Sequence, residues 1–219
     1  DQPRSRGLGD VYKRQVMALS TRQIEKNHVE DTYEAVYTKI TEEDVSSLKG
    51  LDDFSRVGEY YMLAVEPAEQ GYNASYIYCD EETMYIARDQ MKLLEGRLPQ
   101  KEDEVVVSRY FLSNYGADAG IGEKVMLSSE SFHGEYTVTG IMEGYKEKEV
   151  NGTSILLSKE ALKGWSGYDP ADYRAYVHFK NEQQMDETEL TARSREIAKE
   201  YQLEMPVMNL SYMLSLIHI

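Results

Sequence analysis

Few residues in this chain have the types and spacing that chemistry needs. Ser46-Ser47-Leu48-Lys49 has the S-x-x-K spacing of serine acyl enzymes. The S-D-N and K-T-G segments that would bind substrate and protonate a leaving group are missing, so Ser46 and Lys49 read as solvated helix positions. Gly164-Trp165-Ser166-Gly167 stops one residue short of a G-x-S-x-G elbow and follows no buried strand, so it reads as a loop. Gly116 to Lys124 is rich in glycine but has neither spacing whose amides cradle a phosphate. His28, His133 and His178 lie tens of residues apart with no H-x-x-x-H pair, and each reads as a lone histidine. Asp52-Asp53 and Asp80-Glu81-Glu82 are carboxylate clusters that could be weighed as cation ligands. Neither has the ligand spacing of an EF-hand, so they read as solvated acidic loops, with loose calcium binding as the alternative. Asn73-Ala74-Ser75 and Asn151-Gly152-Thr153 match a glycosylation sequon, which matters only in a eukaryotic secretory setting. Cys79 is the single cysteine, which excludes an intramolecular disulfide and a thiolate metal cluster. The expectation is no catalytic residue, no cofactor and no metal ligand.

Composition narrows the partners. With 39 acidic and 24 basic side chains in 219 residues the formal charge is -15, which argues against a nucleic-acid backbone. The 41% of hydrophobic residues is enough for a real core. Eighteen tyrosines against 4 phenylalanines suit half-buried sheets, because tyrosine packs its ring and keeps its hydroxyl wet. No window reaches the roughly 20 apolar residues of a membrane helix.

The elements that must position any site follow from periodicity. Ser20 to His28 is polar and helix-tolerant, and Tyr33 to Ile40 alternates as a half-buried strand. Thr41 caps a short helix that Gly50 closes in a left-handed conformation. Val57 to Val65 and Tyr72 to Cys79 form a hairpin around Pro67 to Gly71, and Thr83 to Ala87 adds a strand. Gln90 to Glu95 reads as helical, Glu104 to Ser108 as a buried strand, Arg109 to Tyr115 as a helical turn or two, and Val125 to Leu127 and Tyr136 to Ile141 as strands. Ser154 to Leu157, Lys159 to Lys163, Tyr173 to Phe179, a helix from about Asp186 to Tyr201 and a last strand from Met205 to Leu210 complete the chain. The fold class is α+β: a porter-like β-α-β layer built from residues 16–87 and 150–214, with a small β-rich part, residues 88–149, inserted in it. The strands at 33–40 and 173–179 are then expected in one sheet.

Residues 1–15, DQPRSRGLGDVYKRQ, have no period that a helix or strand could use, and residues 215–219 end the chain in SLIHI. The first string and Leu214 to Ile219 resemble translated sequencing-adapter artefacts at the two ends of an open reading frame, and both are excluded from fold reasoning. Deleting 1–15 and 215–219 is expected to leave the thermal midpoint within a few degrees of the full chain in a melting experiment.

Leu94-Glu95-Gly96-Arg97-Leu98-Pro99, then Glu104 to Ser108, then Ile121-Gly122-Glu123-Lys124-Val125, then Tyr136 to Met142, taken in this order and spacing, resemble the extracytoplasmic domain of FtsX-like or MacB-like ABC transporter permeases. The resemblance covers most of Val16 to Leu214. It implies the extracytoplasmic face of a bacterial cell membrane, a separate cytoplasmic ABC ATPase reached through transmembrane helices, a dimeric parent permease, and a peptide, lipoprotein or cell-envelope partner. It implies a non-catalytic module that binds and transmits force. The motif residues also read structurally: Gly96 takes a positive φ, Pro99 fixes the run into a strand, Gly122 makes a turn, and Arg97 pairs with a neighbouring carboxylate, with ligand contact as its alternative. Partner contact is expected at the Ser129 to Glu135 and Gly144 to Gly152 loops. A secreted binding protein or an extracellular hydrolase is the competing reading.

Overall fold

The structure is a computed structural model that describes residues 31–88, 91–115, 119–144, 152–210 and 212–213. Residues 1–15 and 215–219, the polar stretch at 20–28 with His28, and Asn151 lie outside the described residues.

A single ten-stranded mixed sheet organises the chain. Strand β1 (Ala35–Ile40) leads into helix α1 (Glu42–Lys49), whose Thr41 cap and Asp44 bond each other's backbone amides in a capping box. The long β2 (Phe54–Pro67) turns back as β3 (Asn73–Cys79). Helix α2 (Glu81–Ile86), β4 (Met91–Gly96), β5 (Glu104–Ser108) and α3 (Arg109–Asn114) follow. Then come β6 (Lys124–Ser128), β7 (His133–Gly144), β8 (Gly152–Leu157), α4 (Lys159–Gly164), β9 (Tyr173–Phe179), α5 (Glu187–Glu200) and β10 (Val207–Met208). The strand order is β10-β1-β9-β2-β3-β8-β5-β7-β4, with β6 paired to the first half of β7. β1 and β9, far apart in sequence, are direct antiparallel neighbours. β8 runs parallel to β3 and antiparallel to β5, and so joins the β1–β3 region to the strands that precede it in sequence.

Both faces of the sheet are covered. Tyr37, Tyr61, Tyr76, Val105, Val107, Ile155, Tyr173 and Val177 meet Val45 and Leu48 of α1, Phe111 of α3, Leu162 of α4 and Leu190 and Ile197 of α5 in the larger core. Val36, Tyr60, Ile77, Val106, Met142, Leu156 and Tyr176 meet Met84 and Ile86 of α2 on the other face. Adjacent residues such as Tyr60 and Tyr61, or Val105 and Val106, therefore lie in different cores, as the two-residue period of a strand requires. The architecture is α+β.

Four local expectations are corrected. Residues 83–87 are not a strand: Asp80 accepts the Thr83 amide at 2.9 Å and starts α2 instead. Residues 91–96 are not helical: Met-Lys-Leu-Leu-Glu has helix-forming side chains, but pairing with β7 holds it extended. Gly50 ends α1 at φ -83°, in ordinary right-handed backbone, because its amide still reaches the Ser47 and Leu48 carbonyls. The last strand is only Val207–Met208.

Candidate functional site

The first and last described segments meet at one corner of the sheet. β10 pairs with the start of β1, Met208 facing Ala35. The Asn209 amide donates to the Glu34 carbonyl at 2.7 Å, and the Asn209 side-chain amide donates to the Tyr33 carbonyl at 3.1 Å. The chain thus comes into the sheet and leaves it side by side. The opposite end of β2, the turn at 67–73, lies roughly 40 Å away if its 14 residues rise about 3.3 Å each.

That corner contains a cluster of buried and half-buried charges. Glu34, just before β1, is fully buried at 0% exposure. One of its carboxylate oxygens is 3.0 Å from His178 Nδ1, and the other accepts the Phe179 amide at 2.8 Å. Glu182, in the short 3-10 turn after β9, lies 3.5 Å from the same Nδ1 and accepts the Tyr212 hydroxyl at 2.6 Å. Burial pushes the Glu34 carboxyl up to about 7, although hydrogen bonding and charge from His178 pull the other way. Burial opposes charge on His178, but the Glu34 hydrogen bond and charge, the Glu182 charge and a hydrogen bond with the Thr32 backbone raise its pKa above the ordinary value. Sequence spacing singled out His178 only as a lone histidine. The turn after β9 brings Glu182 back to it, and β1–β9 pairing brings Glu34. Of the two, only the four-residue step from His178 to Glu182 was visible in the sequence.

Other charges hold elements together. Glu59, buried in β2, takes Lys159 Nζ at 2.7 Å and Lys49 Nζ at 3.5 Å, and Lys159 also pairs with Glu42. This ties β2 to α1 and α4. Arg193 of α5 grips both oxygens of Asp53, at 2.7 and 3.0 Å. Arg97, left between structure and ligand contact by its sequence, makes a bidentate pair with Glu104, both contacts at 2.8 Å, while Glu104 also accepts the Gln100 amide.

The Arg97 hydrogen bonds pull the Glu104 carboxyl from its ordinary 4.5 to about 2. A carboxyl whose pKa is lower folded than unfolded adds stability above the unfolded value and loses it as pH falls through the folded one. Glu104 thus favours the fold above about pH 4.5, and that contribution drains away between 4.5 and about 2. The acid limb of a midpoint-against-pH profile should be shallower in Glu104→Gln than in the parent chain. Equal slopes would show that the pair contributes nothing to the pH dependence.

The remaining sequence candidates do not converge. Ser46 donates to the Glu42 carbonyl of its own helix at 2.9 Å, and Lys49 reaches Asp80 at 2.9 Å. Gly164 ends α4 and Ser166 lies in the turn beyond it. His133 sits beside Ser128 at 3.3 Å. Asp52 meets Lys180 at 3.2 Å. Asp80 is a helix cap, and Asn73 begins β3. Residues 116–118 of the glycine-rich stretch are outside the described residues, and Gly122 turns at φ +88°. Of the expected Ser129–Glu135 loop only residues 129–132 form the turn, since His133 to Glu135 already belong to β7. The turn folds back onto the β2–β3 hairpin, with Phe132 stacked on Tyr76 at 4.2 Å between centroids and the Ser131 amide donating to Glu66 at 3.0 Å. The second expected contact loop, residues 145–151, lies outside the described residues. No described helix is long and apolar enough to cross a membrane.

No protein-family profile and no curated sequence matches the chain. Solved structures do. The extracellular domain of the noncanonic ABC-type transporter YknZ from Gram-positive bacteria is similar at TM-score 0.55 and 16% identity, over 80% of this chain and 98% of that one. The periplasmic region of MacB from Actinobacillus actinomycetemcomitans is similar at TM-score 0.57 and 10% identity, over 88% and 96%. A domain ascribed to a permease protein from Porphyromonas gingivalis gives 0.52 and 14%, over 79% and 85%. Near-complete coverage of each domain at such low identity means that strand order and layering, rather than retained side chains, make the match. The chain therefore has the fold of the extracytoplasmic domains of MacB-like ABC-type permeases.

Proposed function

We propose that the chain is the extracytoplasmic domain of an ABC-type permease, a non-catalytic module that binds a partner and transmits force between membrane helices. The observation that carries this reading is the side-by-side course of β1 and β10, locked by Asn209. A domain set between two transmembrane helices needs its incoming and outgoing strands together on the membrane side. The turns at 67–73 and 129–135 then point away from the membrane.

The two-part division belongs to the same proposal. Residues 16–87 and 150–214 form the porter-like part, and 88–149 form a β-rich insertion. The parent is a dimer that works with a separate cytoplasmic ATPase, and its partner is a peptide, a lipoprotein or a component of the cell envelope. Contact is made by the 129–135 loop, where Glu130 and Glu135 are exposed and Phe132 anchors the base. Charge reversal at Glu130 and Glu135 in the full permease is expected to change the response to substrate without changing assembly with the ATPase.

Sequencing the intact gene from source DNA tests the reading. Apolar helices encoded directly before about Val16 and soon after Leu214, beside an ATP-binding-cassette gene, are the expected result. A frame without such helices and without that neighbour would overturn it. The isolated chain is expected to show neither hydrolysis nor nucleotide binding, and turnover would favour the hydrolase reading.

A further inference from the structure

We propose that Glu34, His178 and Glu182 form a binding site for a divalent transition-metal ion of the zinc class, which clamps the segment before β1 to β9 and the turn that follows it at the corner of the sheet. The inference needs only the fold and is independent of the permease reading.

The geometry comes first. One ligand atom from each of the three residues lies within 4.8 Å of the other two. Ligands held about 2.1 Å from a tetrahedral zinc are about 3.4 Å from one another. His178 Nδ1 is 3.0 Å from Glu34 and 3.5 Å from Glu182, so the set is close to that spacing before any ion enters. Small side-chain movements complete it. Binding would release any proton held on His178 Nδ1 or on the two carboxylates.

Charge and chemistry point the same way. Two carboxylates with a neutral imidazole carry two negative charges, which one divalent ion cancels in a place too buried to hold them bare. An imidazole nitrogen among the ligands selects zinc and its neighbours over magnesium or calcium, which take oxygen ligands. The supports that hold ligating groups in place are present as well. The Phe179 amide fixes the Glu34 carboxylate, the Tyr212 hydroxyl fixes Glu182, and the Thr32 backbone hydrogen-bonds the His178 ring. The three ligands come from the segment before β1, from β9 and from the turn that leads to α5. Tyr212 adds the segment after β10. An ion here would therefore bind the start of β1 to β9 and, through the Tyr212 hydroxyl on Glu182, to the segment after β10.

The test uses the full 219-residue chain, untagged and stripped with a chelator. Zinc chloride is titrated in competition with a chromophoric chelator, and thermal midpoints are read with zinc and with magnesium. One saturable site of micromolar or tighter affinity is expected. Zinc at about a hundredfold excess over Kd should raise the midpoint by about 5 °C or more, and magnesium should not. His178→Ala and Glu182→Gln should each weaken zinc at least about tenfold. His133→Ala should leave affinity unchanged. Glu182 is half-buried and Gln keeps an acceptor for the Tyr212 hydroxyl, so Glu182→Gln tests the site even if His178→Ala fails to fold. Cobalt titrated in place of zinc should give visible absorption bands of a tetrahedral site that Glu182→Gln removes. No saturable zinc binding, or binding that survives both ligand substitutions, would overturn the proposal.

Discussion

Gly96→Val should lower the thermal midpoint by about 10 °C, a larger effect than most single substitutions in a chain of this size. Gly96 has φ +82°, a region that a β-branched residue enters only at a cost of about 1–2 kcal/mol. Space is a second obstacle. A Cβ at Gly96 would come within 2.2 Å of the Thr139 carbonyl oxygen and 2.8 Å of the Gly140 Cα, both backbone atoms that cannot turn aside. Gly96 and Gly140 are register partners across β4 and β7, and a Cβ at Gly140 would in turn press on the Arg97 carbonyl at 2.8 Å. Overpacking of this sort adds about 1–3 kcal/mol. Differential scanning calorimetry gives the measurement. A midpoint unchanged within a couple of degrees would mean that β4 and β7 can separate locally without loss.

Asp80→Ala should destabilise the chain by about 2–3 kcal/mol, combining a lost helix cap with buried donors left unpaired. One Asp80 carboxylate oxygen accepts the Thr83 amide, the Thr83 hydroxyl and the Glu59 amide, each at 2.9 Å. The other takes Lys49 Nζ at 2.9 Å. The residue therefore starts α2, fastens it to β2 and meets α1. Asp80→Asn keeps an acceptor oxygen and loses the charge, so it should recover at least half of the loss. Chemical denaturation of the three proteins checks this. An alanine variant as stable as the parent would show that water replaces all four contacts at no cost.

Asp80 also shows where sequence reasoning reached its limit. Asp80-Glu81-Glu82 reads as a solvated acidic loop because nothing nearby in sequence announces Glu59 as a partner. The same Asp followed three residues later by Thr83 is nevertheless a helix start, and it competes with the strand pattern of Thr83 to Ala87. The cap prevails because its bonds are local and the strand would have needed a neighbour. Met91 to Glu95 shows the reverse case. Local propensity there is helical, and pairing to β7, nearly fifty residues on, decides for strand. Elements with both signals in agreement were legible: the Thr41 cap, the helix start near Asp186, the Val105-Val106-Val107 strand, the β2–β3 hairpin. The motif glycines and Arg97 were legible for the same reason, since positive φ and a nearby carboxylate are short-range requirements. The Glu34–His178–Glu182 cluster was not. Its members meet only after β1 has paired with β9, and no spacing rule spans 144 residues.

The position of the 129–135 loop on the outer side of a membrane is the most direct test of the proposed role. Cys79 is buried and is the only cysteine of these 219 residues, so with any cysteine of the remaining gene product changed to serine a single introduced thiol reports without background. Ser131 is exposed at the tip of the loop, where its backbone amide donates to Glu66 at 3.0 Å. Ser131→Cys would be placed in the intact gene product recovered from source DNA, expressed in a bacterial host, and treated with a membrane-impermeant maleimide. Labelling in whole cells, in the membrane fraction, at the level reached after permeabilisation is the expected result. Labelling that appears only once the cells are opened, or a labelled protein found free of the membrane, would contradict an extracytoplasmic permease domain.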